Sequence, residues 1–221
     1  MSFIPANESP LYIRFFSLYT KWKLKRTFEQ VWIKQEYTPS DDTKTVYFLN
    51  HNSWWDGLIP LYLNEYFFKQ NARAIMEDKQ MKKHPFFSKI GAFSIDLNDP
   101  KASVTSLRYA IESLKRNNAC LFIYPEGKIK PASESKPDFK NGLSWLYKKV
   151  EEIDFVPIGI YMHSFRSAKP ELYISIGDTV DYDNQLNNNE LNNLFEHDMQ
   201  QILAHIRATA GFSDEGFIPQ F

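Results

Sequence analysis

A histidine and an aspartate stand five positions apart in the segment Asn50-His51-Asn52-Ser53-Trp54-Trp55-Asp56. The residues before it, Thr45-Val46-Tyr47-Phe48-Leu49, read as a strand, and an open α/β sheet usually places its ligand site beyond a strand's carboxyl end. An aspartate in the first turn of the next helix can reach back to one ring nitrogen of the histidine. That contact sets the tautomer and stabilises the imidazolium formed when the other nitrogen takes a proton. The chemistry on offer is general-base activation of a hydroxyl, typically worth ~10²–10⁴ in rate. By spacing alone, two residues that merely cap a helix are the plainer reading, because a His and an Asp at this separation occur often by chance.

A second segment, Tyr124-Pro125-Glu126-Gly127-Lys128-Ile129-Lys130-Pro131, also follows a strand-like run. Gly127 opens turn conformations closed to other residues. Its amide, with Lys128 and Lys130, suits an anionic headgroup or a developing oxyanion. Taken alone, Pro-Glu-Gly is an ordinary turn. Other chemistries find no footing: there is no G-x-S-x-G elbow, no H-E-x-x-H, no phosphate loop and no G-x-G-x-x-G. No metal site and no cofactor are expected. His84, beside Pro85, reads as exposed, and His197 and His205 fall on the solvated side of the last helix. His163 lies beyond a strand, with nothing in the sequence to bring it to the site. Cys120 lies in the apolar run Cys120–Tyr124 and reads as a buried, inert thiol.

The elements that must position these residues alternate along the chain. Strands are expected at Thr45–Leu49, Ala72–Ile75, Phe93–Ile95, Cys120–Tyr124, Phe155–Tyr161 and Glu171–Ile176. Between and after them come helices at Gly57–Phe68, at Asp78–Lys89 with a break at His84-Pro85, and at Lys101–Asn117, Asn141–Lys149 and Asn189–Ala210. The pattern predicts an α/β fold, a mostly parallel or mixed sheet flanked by helices. Residues 1–9 read as a loose lead-in, and Gly211–Phe221 as irregular. From Leu11 to Gln35 a helix is expected, with Leu11, Phe15, Leu18 and Trp22 at helical spacing among Arg14, Lys21, Lys23, Lys25 and Arg26. A basic, aromatic amphipathic helix suits the headgroup boundary of an anionic membrane, and it also suits the flank of a domain. The expected organisation is an N-terminal helical membrane-contact region, 1–40, followed by one domain, 41–221.

The chain has 221 residues, enough for one sizeable core. A net charge of −1 leaves no overall nucleic-acid footprint, so no nucleic-acid partner is expected. A single cysteine points to a reducing compartment. No apolar run approaches the ~20 residues of a spanning helix, and no signal peptide is evident. The expected location is peripheral, on the cytoplasmic face of a membrane.

Taken together, the segments resemble the glycerol-phosphate and lysophosphatidate acyltransferases of the PlsC type. That family carries four blocks in order. His51 and Asp56 match its His-x4-Asp block, and Gly91-Ala92-Phe93-Ser94-Ile95-Asp96 resembles its second. Tyr124-Pro125-Glu126-Gly127 resembles the third, and Val156-Pro157-Ile158-Gly159 the fourth. The resemblance implies O-acyl transfer from acyl-CoA or acyl-carrier protein to a hydroxyl of a lysophospholipid or glycerolipid. It makes His51 the base and Asp56 its partner, with Glu126, Gly127, Lys128, Lys130, Gly91 and Asp96 around the substrate, and membrane lipids as partners. Leu97 and Ile129 stand where the family has arginines associated with the acceptor phosphate. Lysine replaces arginine as a point charge but not as a bidentate fork, and Lys128, Lys130, Arg73 and Lys101 are the candidates to compensate. An acceptor without the usual phosphate, such as a glycolipid or glycosylated pigment, fits those departures. Lipid transacylation or hydrolysis by the same pair, and silent lipid binding, are the remaining alternatives.

Overall fold

The computed structural model describes residues 3–130 and 136–221, so Pro131 and the first two residues of the lead-in lie outside the described residues. Helix α1 spans Pro10–Thr27, followed by strands β1 (Val31–Gln35) and β2 (Thr45–Leu49). A 3-10 turn at Trp54–Gly57 leads into α2 (Ile59–Leu63), which continues as a π-turn through Asn64–Phe68. Then come β3 (Asn71–Glu77), α3 (Asp78–Lys83), α4 (Phe86–Lys89), β4 (Ala92–Ile95), α5 (Pro100–Leu114) and β5 (Ala119–Ile123). The chain closes with α6 (Gly142–Tyr147), β6 (Asp154–His163), β7 (Glu171–Ile176), α7 (Asn188–Thr209) and β8 (Ile218–Pro219).

The eight strands form one sheet in the order β4-β3-β5-β2-β6-β7-β1-β8. From β4 to β6 all neighbours are parallel, β7 runs antiparallel to β6, and β1 runs parallel to β7. The sheet is therefore mixed around a parallel centre. Strand β2 at that centre is buried on both faces, as a parallel strand covered by helices must be. Alternation sends Tyr47 and Leu49 to the layer holding Leu24, Phe28, Ile59 and Leu63. Val46 and Phe48 go to the opposite layer, with Leu114, Leu143, Phe195 and Met199. Local chemistry starts the covering helices. Asp99 caps α5 by accepting from the amides of Lys101 and Ala102, with Pro100 in the first turn. Asn187 and Glu190 form a reciprocal capping box on α7.

Three expectations at the termini need correction. The helix expected over Leu11–Gln35 ends at Thr27, and residues 31–35 form β1, paired with β7 along its length. Val31 and Ile33 point to the core at a two-residue period, and the Trp32 indole donates to Glu171 at 3.0 Å. The tail adds β8, which pairs antiparallel with β1. Nor is the lead-in loose. Asn7 and Ser9 donate their amides to Ser88 and Lys89, Ile4 exchanges bonds with Ser94, and Glu8 pairs with Arg73 at 2.6 Å.

Helix α1 is turned opposite to a core-covering helix. Its buried residues are Ser17, Thr20 and Leu24, while Leu11, Phe15, Leu18 and Trp22 are each more than half exposed. It is held by Phe16 stacking on Phe86 at 4.4 Å and by Phe28 against Trp55. Among the described residues no helix is long and apolar enough to cross a membrane.

Gly91 joins α4 to β4 at φ +96°, and a Cβ there would lie 2.7 Å from the carbonyl oxygen of Ala72 on β3. Both the left-handed backbone and the close approach require glycine. Gly91→Ala is expected to destabilise the protein by about 1–3 kcal/mol. A urea midpoint equal to that of the parent would refute this account of the turn.

Candidate active site

Strand β2 ends in Asn50, whose buried amide continues the ladder with side-chain atoms. It donates to the carbonyl of Ile160 at 2.9 Å and accepts from the Ile160 amide at 2.7 Å. The next residue is His51, followed by a tight turn built around Asp56. Asp56 is 1% exposed, and its carboxylate accepts four hydrogen bonds. Oδ2 takes them from the amides of Asn52 and Ser53 and from His51 Nδ1 at 2.7 Å, while Oδ1 takes the Ser53 hydroxyl. Ser53 also caps the 3-10 turn. A buried carboxylate is tolerated only when its oxygens are satisfied in this way.

The backbone of His51 is held from the other side of the chain. Glu126 accepts its amide at 2.7 Å, and the Lys130 amide donates to its carbonyl at 2.8 Å. Tyr124 lays its ring 4.8 Å from the imidazole and donates its hydroxyl to the Asp56 carbonyl at 2.6 Å. Burial, and then the Asp56 charge, push that phenol well above its ordinary value, so it remains a neutral donor. The imidazole has one nitrogen on Asp56. Its Nε2 has no protein partner among the described residues, and the ring forms part of a cavity wall. Such a ring can take a proton from a bound group.

That cavity has a volume of about 490 Å³. Ile75, Met76, Leu107, Phe122, Ile123 and Leu143 supply an apolar interior. Trp54 and Ile129 line the cavity while remaining exposed, and so sit at its mouth. The eight residues resembling substrate-site positions divide into four groups. His51 and Asp56 form the pair. Gly127 and Lys128 line the cavity. Glu126 and Lys130 face a separate small space of about 20 Å³ behind the histidine, where their charged groups lie 3.9 Å apart. They clamp the His51 backbone and do not line the main cavity. Gly91 and Asp96 are also outside the cavity wall: Gly91 packs on β3, and Asp96 caps the following turn through the Asn98 amide.

Of the cations that might replace the missing arginines, Arg73 is taken by Glu8 and Ser113, and Lys130 by Glu126 and Asp138. Lys101 does not line the cavity. Lys128 does, and so does Lys140, which the sequence did not single out. The Lys140 amide donates to Pro125, which brings its ammonium to 3.2 Å from where a Gly127 Cβ would sit. Gly127, at φ +66°, keeps that approach open. Glu77, Gln80 and His84 were also missed, and they line the opposite side. His84 is half-buried rather than exposed. His163 is exposed at the end of β6, and His197 and His205 lie on α7, away from the site. Cys120 is buried, and burial pushes its thiol far up. Among the described residues no cluster of three or more His, Cys, Asp or Glu is placed to hold a metal.

The family model for Acyltransferase matches residues 30–161, which run from β1 into β6 and include the His51–Asp56 turn. The chain belongs to the acyltransferase family. Among solved structures it is similar to the 1-acyl-sn-glycerophosphate (LPA) acyltransferase PlsC from Thermotoga maritima. The TM-score is 0.64 at 18% identity, covering 89% of this chain and 80% of that one. A search of curated protein sequences returned no match.

If Glu126 positions His51 rather than touching substrate, Glu126→Ala is expected to lower kcat by about 10² while both KM values stay near the parent's. Glu126→Gln keeps an acceptor oxygen for the His51 amide and is expected to recover much of the loss. A KM for the acceptor raised in step with the fall in kcat/KM would instead place Glu126 on the substrate.

Proposed function

We propose that this acyltransferase moves a fatty-acyl group from the thioester of acyl-CoA or acyl-carrier protein to a hydroxyl of a lipid acceptor. The observation that carries the reading is the 2.7 Å contact between His51 and Asp56, with the imidazole on the wall of an apolar cavity. His51 Nε2 takes the acceptor proton while Asp56 holds the ring. The freed oxygen bonds to the thioester carbonyl carbon, the tetrahedral oxyanion collapses, the C–S bond breaks, and the thiolate recovers the proton. No acyl-enzyme is required, because donor and acceptor meet in one cavity. The apolar interior suits the acyl chain. The acceptor is a hydroxylated lipid of the lysophospholipid or glycerolipid kind, and Leu97 and Ile129, standing where the family pattern has arginines, leave its headgroup open.

The protein works at a membrane surface in this proposal. Leu11, Phe15, Leu18 and Trp22 face outward on α1, with Arg14, Lys21, Lys25 and Arg26 exposed beside them. Helix α1 packs on α2 and α4, close to the cavity mouth where Trp54 is 65% exposed. Apolar side chains entering the headgroup boundary under a basic helix would deliver the mouth to its lipids.

His51→Ala and Asp56→Asn are each expected to lower turnover by about 10²–10⁴. Thiol release and acylated product are measured together, with far-UV circular dichroism to confirm the fold. Near-normal turnover in His51→Ala would overturn the mechanism. Thiol release that needs no acceptor and yields free fatty acid would make the protein a hydrolase.

Reversing the charge of Lys21, Lys25 and Arg26 is expected to weaken binding to anionic vesicles, each residue contributing on the order of 1 kcal/mol. Co-sedimentation unchanged across low and high salt would rule out the surface contact.

A further inference from the structure

Three parallel strands bring their carboxyl ends to the cavity side by side, in the order β3, β5, β2. Strand β2 delivers His51, and β5 delivers Tyr124 and the Gly127-Lys128 turn. Strand β3 ends at Glu77, and α3 and the turn after it add Gln80 and His84. The polar groups at these strand ends differ from one side of the cavity to the other. Lys128 and Lys140 stand together on the β5 and α6 side. At the carboxyl end of β3 stand a carboxylate, an amide and an imidazole, while Arg73, near the strand's start, also lines the cavity and is paired with Glu8 at 2.6 Å. Among the described residues Glu77 pairs with Lys79 at 3.8 Å, a contact of small worth because the ammonium is exposed. Gln80 and His84 have no side-chain hydrogen bonds among the described residues. The neighbouring acid, Asp78, is buried against Lys82 and does not share the lining.

A phosphate monoester carries close to two negative charges, and a carboxylate facing it opposes binding. Glu77, Gln80 and His84 offer instead the acceptors and donors that neutral hydroxyls need. We propose that this wall recognises the headgroup of the acceptor, and that the headgroup is a neutral polyol such as a single sugar ring on a lipid chain. The proposal rests on the acyl-transfer reading above. Strands β3 and β2 flank β5, so Glu77 and His51 belong to strand ends roughly 10 Å apart. A hexose ring with its outer hydroxyls spans that gap, leaving one hydroxyl at His51 while others bond to Glu77, Gln80 and His84. Lys128 and Lys140 then serve the phosphates of the acyl donor, as point charges without a fork. The reacting atoms and the proton's path are those of the acyl-transfer step.

The test uses the full chain with one acyl-CoA and three acceptors: a long-chain alkyl glucoside, a monoacylglycerol and lysophosphatidate. The glucoside is expected to have the highest kcat/KM. Glu77→Gln is expected to lower that value about tenfold or more, mainly through KM, and to leave KM for acyl-CoA unchanged. His84→Ala is expected to act in the same direction, as a second variant on another element. Lys140→Ala is expected to raise KM for acyl-CoA while the ratio of glucoside to lysophosphatidate holds. A parent enzyme that prefers lysophosphatidate, or a Glu77→Gln variant with the parent's acceptor ratio, overturns the assignment and leaves acyl transfer standing. No ester product with any acceptor overturns the acyl-transfer reading, and the headgroup assignment with it.

Discussion

A carboxylate with almost no access to water must be given donors, and at Asp56 those donors create the site. Two backbone amides, one hydroxyl and one imidazole satisfy it. The amides and the hydroxyl come from the turn itself, so the turn closes on its own charge. The imidazole completes the set, and in doing so its ring orientation is determined. Removing the carboxylate would leave four donors to find partners in an interior that has none to spare.

That local knot has value only because long-range contacts hold it in place. Asn50 ties the end of β2 to β6 through both of its amide atoms. Glu126 and Lys130 hold the His51 peptide at its amide and carbonyl, and Tyr124 takes the Asp56 carbonyl. Two adjacent parallel strands thus contribute their terminal turns to each other's geometry. Glu126 and Lys130 act from behind the histidine, and the cavity in front is lined by apolar side chains from both β3 and β5. A dry wall strengthens any charge interaction made beside it, which is where a developing oxyanion needs help.

The outward apolar face of α1 depends on the same architecture. Ser17, Thr20 and Leu24 allow the helix to lie close on the domain, and the large side chains are left on the far side. The segment before it runs along β4 and α4, and Glu8 engages both Arg73 and Arg116. The helix is therefore fixed relative to the cavity mouth and not merely tethered to it.

Much was legible from the sequence because it is local. The His51–Asp56 pairing lies within one turn, and the apolar runs of β2 and β5 are written in neighbouring residues. The four ordered blocks identified the chemistry of the family. What stayed hidden was set by distant partners. Val31–Gln35 carries a two-residue period too short to outweigh the helical pattern before it, and it becomes a strand because β7 offers a full ladder. The same holds for the roles of Glu126 and Lys130, whose side chains turn behind the histidine, and for Arg73, which Glu8 occupies. Lys140 and Glu77 share no local motif with His51, and only the packing of parallel strand ends brings all three to one cavity. The sequence by itself determined the His51–Asp56 pairing and the alternation that builds the sheet, since both depend on residues a few positions apart. The tertiary structure alone decided which charges face the cavity, because strand order and side-chain direction bring residues from different strands to one wall.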